Sequence, residues 1–307
     1  MSDSALLWLG FNLFVLIMLT LDLGVFHRKS HVVSVKEALT WTGIWITLAM
    51  LFNLFVYYQF DKEKAIEFFT GYIIEKSLSV DNIFVIIMIF SYFNVPKAYQ
   101  HKVLFWGILG ALLMRVIFIF AGIELIHKFH WLIYIFGGFL IFTGIRMVTA
   151  GDVKLDPEKN PVVKLVRKIF PVTESFREDK FFVKVDRRLW ATPLFLVVML
   201  IEATDLIFAV DSIPAILAIS EDPFIVYTSN VFAILGLRSL YFALAGIENY
   251  FQYLKYGLAV ILVFVGTKMC IMDWFKIPVE VSLIVIVFVL GVSMLASVII
   301  SNAPKNN

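Results

Sequence analysis

The chain has 307 residues, 61% of them apolar and only 16% charged, with a formal net charge of +2. A soluble domain of this size carries about 25% charged residues, so the apolar excess is more than one water-soluble core absorbs. The single cysteine, Cys270, excludes an intrachain disulfide framework and a cysteine-built zinc cluster, and it reads as a buried small hydrophobe.

The apolar residues fall in runs of roughly 20, the length at which a helix crosses about 30 Å of hydrocarbon. Barrel strands would alternate over about 10 residues, so the runs predict helices. The chain starts Met1-Ser-Asp-Ser4, without a positive n-region or a clear small-residue cleavage site. The first run is therefore expected to be a retained helix and not a removed signal peptide. Nine spans are expected, near 5–26, 39–60, 68–93, 102–124, 129–149, 192–219, 224–246, 252–272 and 278–301. The expected organisation is two N-terminal spans over 1–60, a three-helix unit over 68–149, a basic loop over 150–190, a second three-helix unit over 191–273, and a last span with its tail over 278–307.

The 150–190 loop carries ten Lys and Arg between Lys154 and Arg188. Positive loops stay on the cytoplasmic side. With this loop inside, alternation places 17 Lys and Arg inside and four outside, the four being Lys62, Lys64, Lys128 and Lys276. The N-terminus is then outside and the C-terminus cytoplasmic. The loop is too short for a sizeable core and is interrupted by Pro157, Pro161 and Pro171. It reads as an ordered connector, although Phe181–Val185 could pair as a strand or lie on the membrane surface.

The two three-helix units resemble each other. Tyr134–Met147, ending Phe-Thr-Gly-Ile-Arg-Met, matches Tyr256–Met269, ending Phe-Val-Gly-Thr-Lys-Met. Ala121-Gly-Ile-Glu124 recurs as Ala245-Gly-Ile-Glu248, with Arg115 and Arg238 upstream of each copy. Ser79-Val-Asp-Asn-Ile83 matches Ala209-Val-Asp-Ser-Ile213. An odd number of spans per unit inserts the two copies with opposite orientation. Inverted repeats are a recurring plan of secondary transporters, with the substrate site near mid-membrane where the repeats meet.

Glu75 and Asp81 fall in the third span, Glu202, Asp205 and Asp211 in the sixth, and Asp22 in the first. A carboxylate in hydrocarbon costs at least a few kcal/mol, so such residues face the bundle interior and serve a pathway or a pair. Glu75 precedes Asp81 by six residues, as Asp205 precedes Asp211. A second register instead aligns Glu75 with Glu202 and Asp81 with Asp205. A spacing of six puts side chains about 120° and 9 Å apart on an ideal helix, so one ion is shared only if the helix opens. Pro214 is expected to open it and free carbonyls. Asn82, Ser212, Ser77 and Ser79 add neutral oxygens. An oxygen-rich set suits hard divalent ions such as Mn²⁺, Mg²⁺ or Ca²⁺, and converging carboxylates need a proton or a cation to compensate them.

The competing reading makes Arg115 and Arg238 structural partners of these acids, with Lys76 and Lys268 reaching towards the interfaces. Asp22 either caps the first span or lines an entry route. His127 and His130 read as an interfacial cluster and the Phe-rich spans as lipid-facing bulk. Gly137, Gly138, Gly144, Gly257 and Gly266 read as close-packing positions. Phosphate-binding loops, a Gly-x-Ser-x-Gly elbow and a nucleic-acid-binding stripe are missing from the sequence.

Five stretches carry a family resemblance: Glu75-Lys-Ser-Leu-Ser-Val-Asp-Asn82, Ala191-Thr-Pro-Leu-Phe195, Glu202 to Ala215, Asp222-Pro-Phe-Ile-Val-Tyr-Thr-Ser-Asn230, and Phe232 to Tyr241. Over nearly its whole length the chain resembles the TerC family of integral membrane proteins, and within it the Alx-like group. The resemblance implies Mn²⁺ efflux across the bacterial inner membrane, with the buried acids as the ion path. It also implies a link to tellurium resistance. The residues themselves do not select Mn²⁺ over Ca²⁺ or Mg²⁺.

The expected function is thus a divalent-cation exporter and not an enzyme, with Mn²⁺ as substrate and no resident cofactor. Glu75, Asp81, Glu202, Asp205 and Asp211 would bind the ion, Asn82 and Ser212 would complete its shell, and Asp22, Ser79, Arg115 and Arg238 would serve as pathway or charge partners. One rival is a non-transporting membrane scaffold. Another is an intramembrane hydrolase built on paired aspartates, for which no Gly-x-Gly-Asp signature is present.

Overall fold

The computed structural model describes residues 3–24, 34–149, 160–185, 188–245 and 253–302. Among them the chain forms α1 (Asp3–Gly24), α2 (Val35–Gln59), α3 (Lys62–Tyr92), α4 (Lys97–Lys128), α5 (Leu132–Thr149), α6 (Pro161–Ile169), β1 (Phe182–Val185), β2 (Arg188–Ala191), α7 (Pro193–Leu217), α8 (Pro223–Leu235), α9 (Leu237–Leu244), α10 (Leu254–Ile271) and α11 (Val279–Asn302). This is an all-α polytopic membrane protein with one small hairpin.

Helix starts follow from local side chains that satisfy orphan amides. Ser34 accepts from the Glu37 amide at 3.2 Å, and Asp61 from the Lys64 amide at 2.7 Å. Asp222 accepts from Phe224 and Ile225 at 2.9 and 3.3 Å, with Pro223 at the first helical position of α8. A turn at Pro96, preceded by Asn94 in the left-handed region, separates α3 from α4.

Among the described residues seven helical segments are long and apolar enough to cross a membrane: α2, α4, α5, α7, α8 with α9, α10 and α11. The apolar part of α1 is shorter, Ala5–Thr20. With 31 residues, α3 reaches about 46 Å at the usual rise; Glu75, Lys76 and Asp81 around its middle keep it from reading as a plain apolar span.

Polarity is arranged inside out. On α11, Ile284, Phe288, Leu295 and Ile299 are exposed, while Ser282, Ser293 and Ser297 are buried. Helix α8 lies at the centre, with every residue from Phe224 to Leu235 buried. Lipid-facing bulk does not describe all the phenylalanines: Phe11, Phe68, Phe224 and Phe232 are buried where α1, α2, α3 and α8 meet.

Helices α5 and α10 approach backbone to backbone. A Cβ on Gly266 would lie 2.5 Å from the Gly137 carbonyl oxygen, and one on Gly144 2.7 Å from the Ala259 carbonyl oxygen. Gly257 packs against the Ser293 side chain of α11, where a Cβ would come within 2.1 Å of the hydroxyl oxygen. Gly138 departs from expectation, because no atom lies within 4 Å of a Cβ there.

The basic loop is more than a connector. Its helix α6 buries Val163 and Val166 and packs on α7. Phe182–Val185 pairs antiparallel with Arg188–Ala191, so the strand alternative is the one adopted. Residues 150–159 of the loop lie outside the described residues, as does Gly246-Ile-Glu248 of the second Ala-Gly-Ile-Glu copy.

Candidate functional site

The acids on α3 and α7 meet at one residue of α4. Glu75 is fully buried and ion-pairs with Arg115, which is 2% exposed. Arg115 Nη2 lies 3.7 Å from Asp205 Oδ1. Its Nη1 donates to Ser212 Oγ at 3.1 Å and to Asn230 Oδ1 of α8 at 2.7 Å. Asn82 Nδ2 donates to Asp205 Oδ1 at 3.2 Å, and Ser79 Oγ to Glu75 Oε1 at 3.4 Å. Four helices therefore contribute to a single polar knot inside an apolar bundle.

The knot is not closed. Glu75 Oε2, Asp205 Oδ2 and Asn82 Oδ1 are buried acceptors without a hydrogen-bond partner, and Asn230 Nδ2 is a donor in the same state. A buried acceptor left unmatched costs about 1–3 kcal/mol, and more when it is charged, so these three oxygens, two of them carboxylate, call for a further partner such as water. A cavity of about 30 Å³, room enough for a water, adjoins Asn82 and Asp205, which with Thr204 are its polar lining. Leu104, Gly107 and Ala111 of α4 form another wall, so it lies towards the helix ends nearest the hairpin and the basic loop.

The other expected residues separate. Asp211 accepts from Thr143 of α5 at 3.1 Å and stands apart from the Arg115 knot. Glu202 packs on Gly110 of α4, where a Cβ would come within 2.1 Å of its carboxylate. Arg238 is buried in α9. Asp81 belongs to α3 and Asp22 to α1, and the side chains of both lie outside the described residues.

Two expectations are corrected. Pro214 does not open α7, which stays helical from Pro193 to Leu217. The proline removes one amide, but Ser212 to Leu217 are all buried and their packing holds the helix. Lys76 does not reach for an interface. It turns inwards and donates to the Ala233 carbonyl at 3.1 Å, at the C-terminal end of α8, where a cation suits the helix dipole. The break between α8 and α9 at Gly236 makes room, since a Cβ there would meet Lys76 Nζ at 2.7 Å. Lys268 reaches Ser282 of α11 at 3.0 Å.

Sequence reasoning missed Asn230, Thr143 and a second polar cluster. At the far end of α3, Glu67 accepts from Ser220 at 2.5 Å and pairs with Lys64 at 2.8 Å. Its only sequence signal is an acid one residue ahead of an expected span. A cavity of about 370 Å³ between α1, α2 and α8 is lined by Phe11, Phe14, Phe52, Phe55 and aliphatic side chains and offers nothing to a cation.

A family described as "Integral membrane protein TerC family" matches residues 60–305. An uncharacterised membrane protein of Myxococcus xanthus is 54% identical over 302 residues, covering 98% of this chain and 95% of that one. Alx, a candidate membrane-bound redox modulator, is 48% identical in Salmonella typhi over 95% of this chain and 93% of that one. In Escherichia coli K12 it is 50% identical over 91% of this chain and 90% of the relative. No solved structure matches the chain.

Proposed function

We propose that this chain, which belongs to the TerC family of integral membrane proteins, exports a divalent metal ion, Mn²⁺ first, across the bacterial inner membrane. One observation carries the reading: Glu75, Asp205 and Asn82 gather deep in the bundle and each leaves an oxygen without a partner. These are hard oxygen donors, suited to Mn²⁺, Mg²⁺ or Ca²⁺. Asp81, one residue before Asn82, and Ser212 would complete the shell. Glu202 and Asp211, on the same helix as Asp205, would serve as stations along the path. The ion is substrate, and the activity is transport and not bond chemistry. The N-terminus would face outwards, and the basic loop and C-terminus the cytoplasm.

Contacts between the two units support an inverted pair and alternating access. In the sequence match Gly137 corresponds to Ala259 and Gly144 to Gly266. The packed pairs are Gly137 with Gly266 and Gly144 with Ala259, so each contact maps onto the other. The register that aligns Glu75 with Asp205 behaves alike. It exchanges the contact Asn82–Asp205 with the bridge from Glu75 through Arg115 to Ser212. Such exchange is what a two-fold axis between the units requires, and it favours that register.

A second reading has its own observation. The buried Arg115–Glu75 pair is what a non-transporting scaffold would use to hold its helices together. Metal content separates the two. In a manganese-loaded host, wild-type protein should lower cellular manganese, read by mass spectrometry beside calcium, magnesium, iron and zinc. Asp205→Asn at equal membrane level should abolish the drop. Unchanged manganese with the wild type removes the assignment, and a drop in another metal replaces it. A variant that only accumulates poorly, with no metal effect in either protein, favours the scaffold.

A further inference from the structure

The proposed cation site already contains a cation. Arg115 contacts Glu75 and lies 3.7 Å from Asp205, so one guanidinium faces two carboxylates. It is also held by neutral acceptors, Ser212 Oγ at 3.1 Å and Asn230 Oδ1 at 2.7 Å. Asn230 belongs to α8, which carries neither acid, so the guanidinium has a hold that does not depend on them. Its Nε has no partner. A pair built only for stability would use the fork of the guanidinium in full against one carboxylate. Here the fork is divided between charged and neutral acceptors, while each carboxylate keeps a free oxygen.

We propose that Arg115 is a tethered counter-ion: it occupies the carboxylates when no transported cation is bound, and yields them to that cation on the loaded passage. This rests on the transport reading above. A carrier that moves a metal in one net direction must reset its site without that metal. Two bare carboxylates in a dry bundle would make that reset steeply unfavourable. Arg115 removes the obstacle, because it stays charged at any accessible pH and is attached to α4. The neutral acceptor Asn230 keeps the guanidinium when the carboxylates turn to the metal.

The test compares two modes of flux in vesicles reconstituted with the full chain. Net efflux of Mn²⁺ into metal-free buffer needs the unloaded reset. Exchange of radioactive Mn²⁺ against unlabelled Mn²⁺ does not. Arg115→Gln should cut net efflux roughly tenfold or more, because each reset now carries uncompensated carboxylates, while exchange persists. Half-saturation of exchange should move to lower Mn²⁺, since the competing cation is gone. Arg115→Lys keeps a charge on a flexible stem and should keep net efflux within about threefold of wild type. If both modes survive in Arg115→Gln, or both fall together in folded protein, the counter-ion role is overturned. Should Arg115→Gln not accumulate, Arg115→Lys alone decides, and parallel loss of both modes there overturns it equally. Vesicles of wild-type protein that pass no Mn²⁺, Ca²⁺ or Mg²⁺ in either mode defeat the transport reading itself. Active wild type with indifferent Arg115 variants defeats only the tethered counter-ion.

Discussion

Among the acidic residues, burial and partners set different consequences for substitution. Glu75 is fully buried against Arg115, so removing its carboxyl leaves a guanidinium without its charged partner. Truncating one member of a buried pair costs about 3–5 kcal/mol. Glu75→Ala should therefore lower the melting temperature of detergent-solubilised protein far more than Asp211→Asn does. Asp211 is half-buried and takes one described hydrogen bond, from Thr143. Losing a bond of that kind costs about 1 kcal/mol, and Thr143→Val should cost about the same. A melting curve that ranks Asp211 above Glu75 would contradict this assignment. The need to bury these acids could be read from the sequence, because carboxylates inside apolar runs must turn inwards. Their grouping could not. Which side chains share a partner depends on the rotation of α3, α4 and α7 about their axes, and the spacing of six residues leaves that open.

At the level of helices, close approach and capping govern the seams. Gly266→Ala would place a Cβ 2.5 Å from the Gly137 carbonyl oxygen and force α5 and α10 apart. Overpacking of that kind costs about 1–3 kcal/mol, and thermal unfolding should register it. Gly138→Ala meets nothing within 4 Å and should leave the melting temperature unchanged or slightly higher, since alanine is the better helix former. Equal losses at both positions would mean that the seam is not set by backbone contact. Asp222→Ala removes two hydrogen bonds to the first amides of α8 and should cost about 1 kcal/mol by the same measurement. The Gly pairs were legible in the matched sequences, but Gly138 reads the same as Gly137 until the facing helix is known. Pro214 is the opposite case: a local rule predicts an opened helix, and tertiary burial of Ser212 to Leu217 overrides it.

Across the whole molecule, the proposed orientation predicts which ends of the helices face outwards. In a Cys270→Ser background, single cysteines replacing Lys62 and Lys97 lie at opposite ends of α3 and its following turn. A membrane-impermeant maleimide applied to intact spheroplasts should label position 62 and spare position 97. The reverse pattern would invert the proposed topology, and labelling of both would break the span count between them.

Composition and run length alone determined that this chain is a helical membrane protein, because lipid demands about 20 apolar residues per crossing and internal satisfaction of every backbone group. The paired acid spacing and the matched glycine segments were likewise written in the residues. Only the tertiary structure decided that Arg115 sits between Glu75 and Asp205, that Asn230 joins them, and that Lys76 turns to the end of α8. Those contacts join residues up to 157 positions apart in the chain. The partner of a buried charge is fixed by which helices pack and which faces they turn to one another, and a hydropathy pattern constrains only which face avoids lipid.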